Sequence, residues 1–149
     1  MDRPRLRRLL LGLLAETPPP EAPYRGLSAR EWLELDRIAG LHGLRPVLQF
    51  KSDALDWRDT IPPAIRQRWQ HGQRAAAMQA LVQRRDLLEI REILARAGIM
   101  RPVALKGAFL AWHAYAQPAL RPMGDLDLLI EVEQALSAFE ALNPPDTRK

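Results

Sequence analysis

The sequence predicts an α+β chain: helices alone to about residue 98, then a strand–helix–loop–strand–helix segment. Three observations carry this. Ser28-Ala29-Arg30-Glu31 has the spacing of a capping box, and Trp32, Leu35, Ile38, Ala39 and Leu41 follow at helical intervals. A second helical pattern opens at Pro62 and Pro63 and runs to Ala97, ending at Gly98. After Gly98 the apolar residues come in short runs of strand length, Val103-Ala104-Leu105 and Leu126 to Ile130. The chain therefore divides into residues 1–27, 28–98 and 99–149.

In order, Pro4 to Ala15 form a short amphipathic helix. Pro18, Pro19, Pro20 and Pro23 forbid helix and make a stiff linker. The helix opened by Ser28 stops near Gly43, and an apolar turn from Pro46 to Phe50 packs behind it. The long pattern from Pro62 has a potential break at Gly72; its apolar positions include Leu81, Leu87, Leu88, Ile90, Ile93 and Leu94. Ala108 to Tyr115 read as helix, Gln117 to Gly124 as loop, and Val132 to Leu142 as a final helix.

Hydrophobic residues make up 47% of the 149 and charged residues 27%, which excludes wholesale disorder. The chain has no cysteine, so disulfides, thiolate metal sites and cysteine nucleophiles are excluded, and a reducing cytoplasm suits it. No apolar run reaches the roughly 18 residues that span a bilayer. Glu16 and the prolines follow the run Leu9 to Leu14 where a secretory signal would carry a small-x-small cleavage site. The net charge of +4 owes much to Arg3, Arg5, Arg7 and Arg8, a basic arm compatible with polyphosphate or nucleic acid but also with plain solvation.

Asp125 and Asp127 are the strongest chemical candidates. Residues two apart on a strand share a face, so two carboxylates converge while Leu126 and Leu128 enter the core. Hard oxygen ligands suit Mg²⁺ or Mn²⁺. Lys106 and Gly107 follow the preceding strand, where glycine lets backbone approach a phosphate and lysine adds a point charge. Arg121 lies in the loop before the acidic strand, either anchoring it through a carboxylate or contacting a triphosphate. His42, His71 and His113 have no metal-ligand spacing, and Trp32, Trp57, Trp69 and Trp112 read as core or helix-contact residues.

Leu105-Lys106-Gly107-Ala108, Tyr115, and Leu120-Arg121-Pro122-Met123-Gly124-Asp125-Leu126-Asp127-Leu128-Leu129-Ile130 resemble the signature of the uncharacterised bacterial nucleotidyltransferase family of the DNA polymerase β-like superfamily. The likeness extends over most of Ser28 to Leu142. It implies a partial nucleotidyltransferase core after the helices and a divalent metal held by Asp125 and Asp127. It also implies a nucleoside triphosphate donor faced by Lys106, Gly107, Arg121 and Gly124, and transfer of a nucleotidyl group to an unknown acceptor.

Superfamily members usually supply a third carboxylate from a later strand. Here the chain reaches Lys149 soon after the acidic strand, and Glu131 would lie roughly 13 Å along it, too far for one metal. The expectation is a truncated product with an exposed sheet edge, covered by a partner or a second copy, in which catalysis is an open question. Two other readings fit the sequence: a catalytically inactive helical interaction or regulatory module, and a basic nucleic-acid-binding protein.

Overall fold

The computed structural model describes residues 2–144. Its helices are α1 (Arg3–Leu14), α2 (Ala22–Arg25), α3 (Ala29–Leu41), α4 (Arg45–Ser52), α5 (Pro63–Arg96), α6 (Lys106–His113) and α7 (Ala135–Leu142). Strands β1 (Val103–Ala104) and β2 (Leu128–Leu129) pair antiparallel, Val103 opposite Leu129 and Ala104 opposite Leu128. The chain forms two compact units, Met1–Ala77 and Met78–Lys149.

In the first unit α1 packs on α3 and α4. Leu6, Leu10 and Leu13 recur at helical spacing on α1 and are buried with Trp32, Leu35, Leu48 and Trp69. The Ser28 hydroxyl accepts from the Glu31 amide, and the Glu31 carboxylate accepts from the Ser28 amide, which completes the expected capping box. Gly43 takes φ +65° just beyond α3, a left-handed conformation suited to glycine. Leu41 is on the helix but 70% exposed, so it is not part of the buried stripe.

The proline segment departs from the expectation of no helix. Pro23 sits within the first turn of α2, where its missing N–H has no helical partner to lose. Tyr24 stacks on Trp57 at 4.8 Å, and its hydroxyl donates to the Leu9 carbonyl. The Trp57 indole N–H donates to the Pro19 carbonyl. Burial pushes the Tyr24 hydroxyl up to about 12.

Gly72 does not break α5; the helix is continuous from Pro63 to Arg96. Its glycine instead makes room beside a buried ionic hub. Asp36 is fully buried and accepts both Arg45 Nε at 2.8 Å and Arg45 Nη2 at 2.9 Å. Arg68 Nη1 and Trp69 Nε1 donate to it as well, at 3.1 and 3.2 Å. A Cβ at Gly72 would come within 2.8 Å of Arg45 Cβ, and one at Gly40 within 2.9 Å of Arg45 Nη2. Both glycines therefore leave room for the arginine to reach the carboxylate. Two arginines of the basic arm are also engaged: Arg5 meets Glu31 at 3.3 Å and Arg3 meets Glu34 at 3.5 Å.

In the second unit Leu94, Ile99 and Ala138 form a small core with Ile90, Leu128 and Ile130 against it. Gly98, φ +81°, turns the chain out of α5. Of the expected apolar positions, Leu81 and Leu88 are 58% and 43% exposed, while Gln83 is 6% exposed. The second strand is shorter than Leu126 to Ile130, with ladder pairing confined to two residues. One further backbone bond, from the Leu105 amide to the Asp127 carbonyl at 2.9 Å, extends the alignment beyond the ladder.

Candidate functional site

The two motif segments meet where β1 passes into α6. Leu105 caps α6 with extended backbone and no side-chain bond, so no side chain caps the helix start there. Lys106 and Gly107 lie inside the first turn of α6, two residues earlier than the expected start, and the helix stops at His113 before Tyr115. Lys106 has φ +45°, a left-handed value for a residue with a side chain. Its ammonium lies 3.2 Å from Asp127 Oδ1 and 3.2 Å from Oδ2, straddling the carboxylate. The Asp127 side chain is 32% exposed and that of Lys106 is 72% exposed. A pair this open contributes little to stability and leaves the carboxylate reachable.

Asp125 is exposed and makes no hydrogen bond or ion pair among the described residues. Asp125 and Asp127 both lie before β2, outside the paired strand, so the expected sharing of one strand face does not apply to them. Mg²⁺ typically takes one or two protein carboxylates and completes its shell with water and substrate phosphates. Among the described residues no group of three acidic or histidine side chains forms a cage.

Gly107 has a packing role. A Cβ there would lie 2.8 Å from Met123 Cγ and 3.0 Å from its sulfur, so the methionine seats directly on the glycine. The Met123 carbonyl accepts from Gln83 Nε2 at 2.9 Å. Arg121 donates to the neighbouring Pro122 carbonyl at 3.0 Å, and no carboxylate anchors it among the described residues. Gly124 is exposed, with open space where a side chain would stand. His113 Nδ1 lies 2.9 Å from the Phe109 carbonyl and its ring stacks on Phe109 at 4.4 Å, a local helix-end contact. Arg84 lies over the Trp112 ring at 5.1 Å from its centre.

The structure thus brings Lys106 together with Asp127, and Gly107 together with Met123. It leaves Asp125 and Gly124 at the surface and turns Arg121 back on its own loop. Sequence reasoning missed Gln83 and Met123 as loop anchors. The signal for Gln83 was its position among apolar residues of a helix, where a polar side chain needs an internal partner.

A protein-family model described as an uncharacterised nucleotidyltransferase matches residues 28–145. That span is most of the chain, so the chain belongs to this nucleotidyltransferase family. It begins at the capping-box serine and takes in both motif segments. No curated protein and no solved structure matches the chain. No helix among the described residues is long and apolar enough to cross a membrane.

Proposed function

We propose that the chain binds a divalent metal–nucleoside triphosphate complex at Asp125 and Asp127 and transfers the nucleotidyl group to an acceptor, the α-phosphorus–oxygen bond to the β-phosphate breaking and pyrophosphate leaving. The supporting observation is the Lys106–Asp127 pair, which joins two motif segments 21 residues apart beside an uncapped helix start. Asp125 and Asp127 would hold Mg²⁺ or Mn²⁺, which neutralises charge that develops on phosphate oxygens during transfer. Lys106 and the first amides of α6 would face the triphosphate, with Gly124 keeping the approach open and Gly107 giving Met123 its seat beside them. Arg121 would exchange its carbonyl contact for a phosphate oxygen.

The exposed apolar residues Val103, Leu129, Val132, Leu136 and Phe139 support a further part of this reading. A partner or a second copy of the chain would cover the strand edge and the outer face of α7.

Thermal melts with Mg²⁺ and each nucleoside triphosphate test the site. A ligand at a hundredfold over its dissociation constant should add about 2.7 kcal/mol of stability. Asp127→Asn should abolish that gain. Equal stabilisation of the variant and the wild-type chain would remove Asp127 from the site.

A further inference from the structure

We propose that Gln83 is a positioning residue: its side-chain amide fixes the loop that carries Asp125 and Asp127 to the Lys106–Gly107 turn. This rests on the metal–nucleotide reading of the aspartate pair. Gln83 is 6% exposed, on the stretch of α5 that belongs to the second unit. Its Nε2 donates to the Met123 carbonyl at 2.9 Å, across 40 residues of sequence. Met123 in turn seats its side chain on Gly107, where even a methyl group would come within 2.8 Å of Cγ. Two residues on from Met123 is Asp125, and four on is Asp127, held through its carbonyl by the Leu105 amide and through its carboxylate by Lys106.

The loop is therefore fixed at both ends. Its downstream end is tied by Leu105 and Lys106, and its upstream end by Gln83 and the methionine wedge. Gly124 and Asp125, between the two ties, have no bond of their own among the described residues. The placement of the Asp125 carboxylate consequently depends on both ties. A buried glutamine that only filled space would be replaced without loss by an apolar side chain of its size. One that positions the loop would not, because its donor is what the Met123 carbonyl requires. Partners that orient a ligating side chain commonly govern metal affinity in this way.

The test compares the wild-type chain with Gln83→Met and Gln83→Glu, first without nucleotide. Gln83→Met keeps the volume and removes the donor; Gln83→Glu keeps the shape and replaces the donor with an acceptor. Amide hydrogen exchange should quicken in both variants at Arg121 and Leu105, whose amides donate to the Pro118 and Asp127 carbonyls at the two ends of the loop, with no change in α7. Unchanged exchange at these two amides, or a uniform rise across the unit, would overturn the proposal. Mn²⁺ binding in the presence of nucleoside triphosphate, followed by the electron paramagnetic resonance of free Mn²⁺, should weaken roughly 10- to 100-fold. Wild-type Mn²⁺ affinity in either variant would overturn it too. If Gln83→Met fails to fold, Gln83→Glu decides both readouts; Met123→Ala, which keeps the carbonyl that Gln83 donates to, measures the wedge by itself and should loosen the loop less. Absence of Mn²⁺–nucleotide binding in the wild-type chain would instead defeat the site reading, and the positioning role with it. The exchange data would then still report whether the Gln83 tie exists.

Discussion

Lys106 joins an unfavourable backbone to a charged contact. A left-handed conformation costs a side-chain-bearing residue about 1–2 kcal/mol, and its exposed ion pair with Asp127 returns about 0–1 kcal/mol. Lys106→Gly relieves the first and removes the second. The new glycine also loses about 0.5–1 kcal/mol more conformational freedom on folding, so the melting midpoint of the ligand-free chain should stay near that of the wild type. Ligand binding should separate into two directions. Without the competing ammonium, Asp127 is freer for a cation, so Mn²⁺ alone should bind more tightly. Without the point charge near phosphate, nucleoside triphosphate should bind more weakly in the presence of metal. Isothermal titration of each ligand reads both directions, and weaker binding of both would contradict the role proposed for Lys106. The residues of this pair were legible in the sequence because their types and order are themselves the signal. Asp36 and Gln83 were not. Each is a polar residue among the apolar positions of a helix, which signals the need for an internal partner, but the partners lie 9 to 40 residues away and helical periodicity does not name them.

Helix ends were read more closely than strand lengths. Ser28, Glu31, Gly43 and Gly98 act through local backbone geometry, which a few adjacent residues determine. Strand pairing depends on distant residues, so the expected five-residue strand at Leu126 shrank to the Leu128–Leu129 ladder. The expected break at Gly72 failed for a related reason: the glycine answers to Arg45 on another helix. The capping box also has a pH signature. The Ser28 backbone N–H, then its hydroxyl, hold the Glu31 carboxyl below its ordinary value of 4.5. A group whose folded pKa is depressed stabilises the fold above its unfolded pKa. That contribution is lost as pH falls through the folded value. Glu31→Ala should therefore flatten part of the fall in melting midpoint below about pH 4.5. Glu21, held low by Thr60 and then Arg25, and Glu34, held low by Arg37, will keep the remaining slope. Ser28→Ala should cost about 1 kcal/mol at neutral pH. Circular-dichroism melts across the acid range measure both effects, and parallel pH curves for Glu31→Ala and wild type would contradict the linkage.

At the scale of the whole molecule, the second unit keeps a small core and presents a large apolar surface. Val132, Leu136 and Phe139 are 79%, 69% and 66% exposed, and Val103 and Leu129 on the paired strands are 52% and 55% exposed. A groove of about 280 Å³ lined by Leu87, Leu88, Met100 and Leu128 lies in the same unit. Exposed large apolar side chains in such number favour association or aggregation. Size-exclusion chromatography with light scattering at micromolar concentration should show self-association or loss of soluble protein. Phe139→Glu should shift the chain toward monomer. A monodisperse wild-type monomer would count against a covering partner.

The Arg84–Trp112 stack has an optical consequence. Trp32, Trp57 and Trp69 belong to the first unit and Trp112 to the second. Replacing the first three by phenylalanine would leave one indole emitter, on the helix that begins with Lys106 and beside a guanidinium. Its fluorescence would follow events around α6 without labels or added cysteines, so ligand capture and local unfolding would become visible in one unit while the other stays dark.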